Sequence, residues 1–333
     1  MRQDRFIARY ADEWAAFERW LDAREASPRR ARASRPGWDG LADEDVPSRY
    51  RRLCQQLALA RRRGYSPQVT ERLQALMQRG HNLLYRPPPA PWRGALAFLL
   101  ADFPRLVRAQ RGCLWASLIL FALPMALLFV LVQHWPELAY SVLSPAQLAE
   151  MEAMYDPGNT GPAFARDGRT DMQMFGYYIW NNVSIGFRTF ASGLLAGVGT
   201  IFVLLFNGTF FGVIAGHLQA IGHGGPFWRF VVGHSAPELT AIVIAGAGGL
   251  RLGLALIAPG RLRRVDALVQ AGRDGGRLCI GILAMLVFAA FVEAFWSSST
   301  SIPDLLRFGV GGGLWLLVLL WLWRGGRGRG HAG

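Results

Sequence analysis

The chain has 333 residues, 52% of them hydrophobic, and a formal net charge of +13. The charge is uneven: residues 1–113 carry 22 Arg and 12 acids, whereas the rest of the chain carries 14 and 11 and reads as apolar runs with short polar breaks. That distribution points to an all-α, polytopic helical membrane protein with a small helical cytoplasmic arm, and away from two soluble domains.

Large apolar groups recur at helical spacing through residues 5–22, at Phe6, Tyr10, Trp14, Phe17 and Leu21. A Pro/Gly/Arg loop from Ser27 to Gly40 follows, then helical patterns at about 48–62 (Tyr50, Leu53, Leu57) and 67–84 (Val69, Leu73, Leu76, Leu83). Residues 1–86 therefore read as a basic cytoplasmic helical arm, close to the smallest size that supports its own core. Residues 87–113 continue as a stiff spacer, Pro87-Pro88-Pro89-Ala90-Pro91, and an amphipathic segment. That segment mixes Trp92, Leu96, Leu99, Phe103 and Leu106 with Arg93, Arg105, Arg108 and Arg111, which predicts a helix lying on an anionic leaflet. A fourth helix of the arm's bundle is the other reading.

The membrane domain is expected over 114–323. Its first span, 114–135, has no charge, is long enough to cross a bilayer, contains Pro124 as a kink point, and is flanked by Trp115 and Trp135 as interfacial anchors. Residues 136–186 read as a polar loop with six acids and two Arg. A second span is expected at 187–206, ending at Asn207-Gly208, and an apolar segment at 209–221 is either short or re-entrant. Further spans follow at 239–258, 278–296 and 305–323, with a cytoplasmic tail at 324–333.

Arginine sets the orientation. The basic arm, the loop carrying Arg261, Arg263, Arg264, Arg273 and Arg277, and the tail with Arg324, Arg327 and Arg329 all belong inside. Both termini inside requires an even number of crossings; six is expected, with four plus a re-entrant hairpin as the rival. Every basic residue is Arg, as in a GC-rich bacterial genome, and no h-region follows Met1, so a multi-pass inner-membrane protein without a cleaved signal is expected.

Small residues recur every four positions at Gly208, Gly212, Gly216 and at Ala245, Gly249, Gly253, with a further pair at Gly193 and Gly197. Such faces let helix backbones approach in lipid. Packing within the chain is the first reading, a homodimer face the second. Ionisable groups inside spans are costly and mark function or paired structural contacts. The candidate polar cluster comprises His234, Glu238, Arg251 and Glu293, with Asn181, Asn182, Arg188 and Asn207. His234 and Glu238 are four apart and share a helix face, while Pro237 suits a first helical turn in which Glu238 meets the positive end of the dipole.

Complete catalytic constellations are not found: H-E-x-x-H is absent, and Gly233-His234-Ser235-Ala236-Pro237 is not a G-x-S-x-G serine site. Cys54, Cys113 and Cys279 are isolated, and among His217, His223, His234 and Glu238 only the last two have a helical ligand spacing, so no metal site and no cofactor are expected. No nucleic-acid-binding motif accompanies the positive charge, which matches arginines flanking membrane helices instead.

Asn181-Asn182, Phe187-Arg188, Gly197-Val198-Gly199-Thr200, Asn207-Gly208 and Gly212 precede Gly233-His234-Ser235-Ala236-Pro237-Glu238-Leu239, which continues into Ala245-Gly246 and Gly249-Leu250-Arg251-Leu252-Gly253. On these residues the stretch from Gly176 to Pro259 resembles the stage II sporulation protein M family of bacterial membrane proteins. The resemblance implies a membrane component of a complex with peptidoglycan-remodelling partners, which in endospore formers drives engulfment. The long basic arm departs from that pattern. The expected function is thus a non-enzymatic scaffold or assembly factor in contact with membrane lipids, recruiting protein partners through residues 1–86 and the 136–186 loop. The alternative is a transporter or channel with a polar path at Glu238, Arg251 and Glu293; an intramembrane hydrolase using His234 and Glu238 is a third reading.

Overall fold

The computed structural model describes residues 2–25, 43–85, 91–158, 168–299 and 302–327. The Ser27–Gly40 loop, residues 86–90 and the last six residues, including Arg329, lie outside that set. Among the described residues the protein is helical throughout, with no strand. It divides into two units, Met1–Pro91 and Trp92–Gly333.

The first unit contains α1 (Gln3–Glu25), α2 (Val46–Arg62) and α3 (Pro67–Leu84). Phe6, Trp14, Phe17 and Leu21 of α1 meet Val46, Leu53 and Leu57 of α2 and Leu73 and Leu76 of α3 in one buried core. Apart from Val46, these are apolar positions of the three helical patterns, so the periodicity marks this core. Two polar features fix its register. The Trp14 indole donates to Gln56 Oε1 at 2.7 Å inside the core, and Gln3 exchanges two hydrogen bonds with Ser66 at the start of α3. On the surface, the Arg79 guanidinium bridges Glu25 and Asp22 across α1 and α3, and those hydrogen bonds push its pKa up.

The second unit begins within α4 (Pro91–Ala97), followed by a π-helical turn at Phe98–Asp102 and α5 (Phe103–Ala109). Then come α6 (Arg111–His134), α7 (Leu138–Val142), α8 (Pro145–Tyr155), α9 (Gly168–Ala191), α10 (Val198–Ala220) and α11 (Gly224–Val231). The chain continues through α12 (Ser235–Ile257), α13 (Arg264–Phe291) with a π-helical extension at Val292–Ser297, and α14 (Asp304–Arg324). Five of these helices are long and apolar enough to cross a membrane: α6, α10, α12, α13 with its extension, and α14. α12 is the central one, buried along most of its length against α6, α9 and α13. α9, at 24 residues, is as long as α6 but more polar; it runs antiparallel beside α13, with Tyr178 next to Ala290 and Ala294, and Phe190 against Gly275.

Three expectations need correction. The break lies at Ser192–Gly197, not at Asn207-Gly208. Gly197 adopts a left-handed φ of 82° and α10 starts immediately after it, running through Asn207-Gly208 without interruption. Asn207 turns its amide onto the Val203 carbonyl of its own helix at 2.7 Å, and Gly208 provides close approach instead of a bend. The segments 187–206 and 209–221 are therefore parts of α9, a tight turn and one continuous helix, α10.

Second, 136–186 is not a free polar loop. Ala139, Leu143 and Leu148 of α7 and α8 are buried against Val213, Leu218 and Phe227, while residues 168–186 already belong to α9. The helices α7 and α8 are only five and eleven residues long and bury one side chain each, so no helical period marked them. Residues 159–167 lie outside the described set.

Third, the 92–111 segment is not a fourth helix of the arm's bundle but packs into the second unit. Phe103 is fully buried beside Gly281, where a Cβ would strike its ring, and it stacks on Trp321. Arg105 donates to the Gly326 carbonyl at 2.7 Å, and Arg108 donates to the carbonyls of Leu322 and Gly325. These arginines cap the C-terminal end of α14, whose last carbonyls have no partner within the helix. Burial, more than the neighbouring Arg327 and Arg105, pulls the Arg108 pKa down.

The glycine faces are consumed within the chain. Cβ atoms on Gly208, Gly212 and Gly216 of α10 would meet the carbonyls of Phe121, Met125 and Phe129, a matching four-residue series on α6. Gly249 and Gly253 of α12 lie against the backbone of α9 and the Gly193–Gly197 turn in the same manner. Neither stripe is left open to a second copy.

Candidate functional site: a buried polar cluster at the start of the central helix

His234, Glu238 and Glu293 each place a ligand-type atom within 4.8 Å of the others. His234 is the residue before α12, in the short turn after α11, and Glu238 lies in the first helical turn beyond Pro237. Pro237 is accommodated because a first-turn residue has no intrahelical N–H bond to lose. Glu293 comes from the π-helical extension of α13, where the extra residue per turn alters the direction of successive side chains.

The cluster is dry. His234 and Glu293 are 5% and 8% exposed, and Asn182 is 2% exposed. His234 Nδ1 is 3.1 Å from Ser297 Oγ, and its Nε2 is 3.8 Å from Glu238 Oε2. Asn182 of α9 donates from Nδ2 to Glu293 Oε2 at 3.3 Å and accepts from the Asn181 amide at 3.0 Å. Phe230 meets the imidazole edge-on, with ring centroids 5.2 Å apart. Gly233 permits this assembly, since a Cβ there would lie 3.1 Å from Ser297 Oγ and 3.2 Å from Trp296.

Of the eight predicted polar residues, His234, Glu238, Glu293, Asn182 and Asn181 come together. The other three do not join them. Arg251 sits 13 residues beyond Glu238, about 20 Å along α12, beside a cavity of about 390 Å³ with Asp274, Gln110 and Cys113 on its wall. Arg188 is exposed and bonds the Ser184 carbonyl of its own helix, and Asn207 is turned onto Val203.

Two contributors were missed by sequence reasoning. Ser297 lies four residues after Glu293, a spacing that was visible. Arg307 is 7% exposed and donates to the carbonyls of Ser297 and Ile302, pinning the turn that leads into α14. No spacing identified it, because it sits within an otherwise apolar span. Outside the cluster, His217 Nε2 pairs with Glu152 Oε1 at 2.6 Å, tying α8 to the end of α10.

Chemically, the cluster offers an imidazole and two carboxylates held from two directions in a low-dielectric setting. It can hold protons or a cation, and it can bind α12 to α13. Of the two serines beside it, Ser235 Oγ is occupied with the Val232 carbonyl and the Trp315 indole, whereas Ser297 Oγ lies against the His234 imidazole.

Comparison with known proteins bears on the chain in two parts. The family model of stage II sporulation protein M matches residues 117–298, and that of a domain of unknown function (DUF8413) matches residues 4–86. No curated protein and no solved structure matches the chain. The first match spans more than half of the 333 residues and encloses the whole polar cluster. This membrane protein belongs to the stage II sporulation protein M family.

Proposed function

We propose that the protein is a non-enzymatic scaffold of a bacterial inner-membrane complex, recruiting partners through its N-terminal unit and through α7–α8. The observation that carries this reading is the closed packing between the two ends of α12. Between Glu238 and Arg251 the helix presents Gly246, Gly248 and Gly249 to Ser117, Leu204, Phe190, Thr189 and Thr200 at closest approach. Ser117 and Thr200 spend their hydroxyls on backbone carbonyls, at 2.8 Å each, and seal the helices together. The three charges of the supposed path are thus split between two sites with close-packed apolar wall between them. A transporter of the broken-helix type also needs paired interruptions, and the one expected at Asn207-Gly208 is a continuous helix.

Topology supports the same reading. With α9 as a sixth crossing, both termini fall on one side together with the Arg261–Arg264 turn. That is the cytoplasmic side by the arginine rule. The N-terminal unit then faces the cytoplasm and α7–α8 the opposite side, giving one chain two separate partner faces.

The buried His234–Glu238–Glu293 cluster is what favours transport instead. The two readings separate in liposomes. A scaffold reconstituted at high density leaves proton and cation flux at the level of empty vesicles. Flux abolished by Glu238→Gln and Glu293→Gln would establish the transporter.

A further inference from the structure

We propose that His234, Glu238 and Glu293 bind one divalent first-row transition-metal ion, of which zinc is the test case, between the start of α12 and the π-helical end of α13. This goes beyond the scaffold reading and stands or falls independently of it.

The distances carry the proposal. His234 Nε2 and Glu238 Oε2 are 3.8 Å apart. That is too long for a hydrogen bond, yet near the roughly 3.3 Å that separates two ligand atoms each about 2.0–2.1 Å from a tetrahedral ion. The third ligand-type atom, from Glu293, falls within 4.8 Å of both. Small rotamer adjustments bring three such atoms onto one ion.

The surroundings are those that a bound metal uses. A ligating imidazole has its second nitrogen fixed by an outer hydrogen bond, and His234 Nδ1 has Ser297 Oγ at 3.1 Å. Ligating carboxylates are held in turn by outer donors, and Asn182 Nδ2 reaches Glu293 Oε2 at 3.3 Å. Glu293 and Ser297, one metal-facing and one outer, both come from the π-helical segment, a distortion that recurs at functional sites.

Charge points to the class of ion. Two carboxylates balance a dication, so the loaded site is neutral, which reduces the cost of burial in a low-dielectric region. The imidazole selects zinc-like metals over magnesium or calcium, which favour all-oxygen sites. Three protein ligands leave a fourth position for water or a partner's donor atom.

The test uses the full chain purified in detergent with a tag free of histidine, stripped with chelator and re-exposed to zinc. Metal content is read by mass spectrometry, and the coordination shell by X-ray absorption at the zinc edge. One zinc per chain is expected, with a nitrogen/oxygen shell at about 2.0–2.1 Å. Glu293→Gln and His234→Asn should each weaken retention at least tenfold, and Arg251→Gln should leave it unchanged. Zinc retention equal in Glu293→Gln and in the parent chain overturns the proposal. Should the variants fail to fold, the parent spectrum decides: no bound zinc, or a sulfur shell at about 2.3 Å from a cysteine site, overturns it equally.

Discussion

Gly212→Ala probes the α6–α10 contact most sharply. A methyl group at that position falls on the Met125 carbonyl oxygen and lies 2.9 Å from Met125 Cα, where ordinary carbon contacts lie near 3.5–4.0 Å. The obstacle is backbone on a facing helix, so no side chain can swing aside. The two helices must separate by a fraction of an ångström, and Gly208 and Gly216, one turn away on either side, lose their contacts with Phe121 and Phe129 as well. Overpacking of this kind costs about 1–3 kcal/mol, set against a helix-propensity gain of about 1 kcal/mol that a clash-free glycine-to-alanine control shares. The matched control is Gly313→Ala in α14, where a Cβ meets nothing within 4 Å; it makes the same helix-propensity gain of about 1 kcal/mol without the clash. Reversible unfolding in mixed micelles with SDS, followed by far-UV circular dichroism, compares the two. A Gly212→Ala midpoint indistinguishable from that of Gly313→Ala would refute the packing derived for this interface.

Other substitutions test other joints. Leu73→Ala empties a fully buried position in the N-terminal core and should destabilise that unit by about 2–5 kcal/mol, read from the tryptophan fluorescence of Trp14 and Trp20 during denaturation. Gln56→Leu leaves the buried Trp14 indole N–H without its acceptor, at a cost of about 1–3 kcal/mol, and should shift the same emission. Arg108→Ala uncaps α14, removing charged hydrogen bonds worth about 1.5–3 kcal/mol; faster amide exchange over residues 320–325 is the expected signature. Normal exchange there would show that Arg105 and the Trp321–Leu99 contact suffice.

Much of the fold was legible because lipid and helix geometry leave strong marks. α6, α12, α13 and α14 are each a long apolar run bounded by arginine, proline or tryptophan, and the three helices of the arm follow from the spacing of Phe6 to Leu21, Tyr50 to Leu57 and Val69 to Leu83. The α9–α10 junction was misread because Asn-Gly is a strong turn signal in water. Inside a helix bundle Asn207 satisfies itself on Val203, and Gly208 serves close packing. The real turn at Ser192–Gly197 is built from small residues that also occur within spans, so composition did not separate the two uses. α9 itself was hidden by its mixed face, in which Asn181 and Asn182 point into the unit while Trp180 and Phe187 point out.

The site was half legible. His234 and Glu238 announced themselves by spacing, but Glu293 lies 55 residues further on, and only the antiparallel packing of α13 against α12 brings it to them. Arg251 shared a helix with Glu238 and was grouped with it by chemistry; 13 residues of helical rise place it at the other end. Residue type identified the charged groups, whereas their partnership depends on which helix ends meet.

The proposed scaffold role requires that this chain hold partners. Photo-reactive cross-linkers placed in living cells on exposed positions of α1 and on α8 address it directly, comparing the full chain with one lacking residues 2–86. That role predicts discrete cross-linked species from α1 positions that repeat at helical spacing, and α8 cross-links to a different partner that persist without the arm. Absence of any cross-linked partner from both faces, together with cation flux in liposomes that requires Glu238 and Glu293, would contradict it.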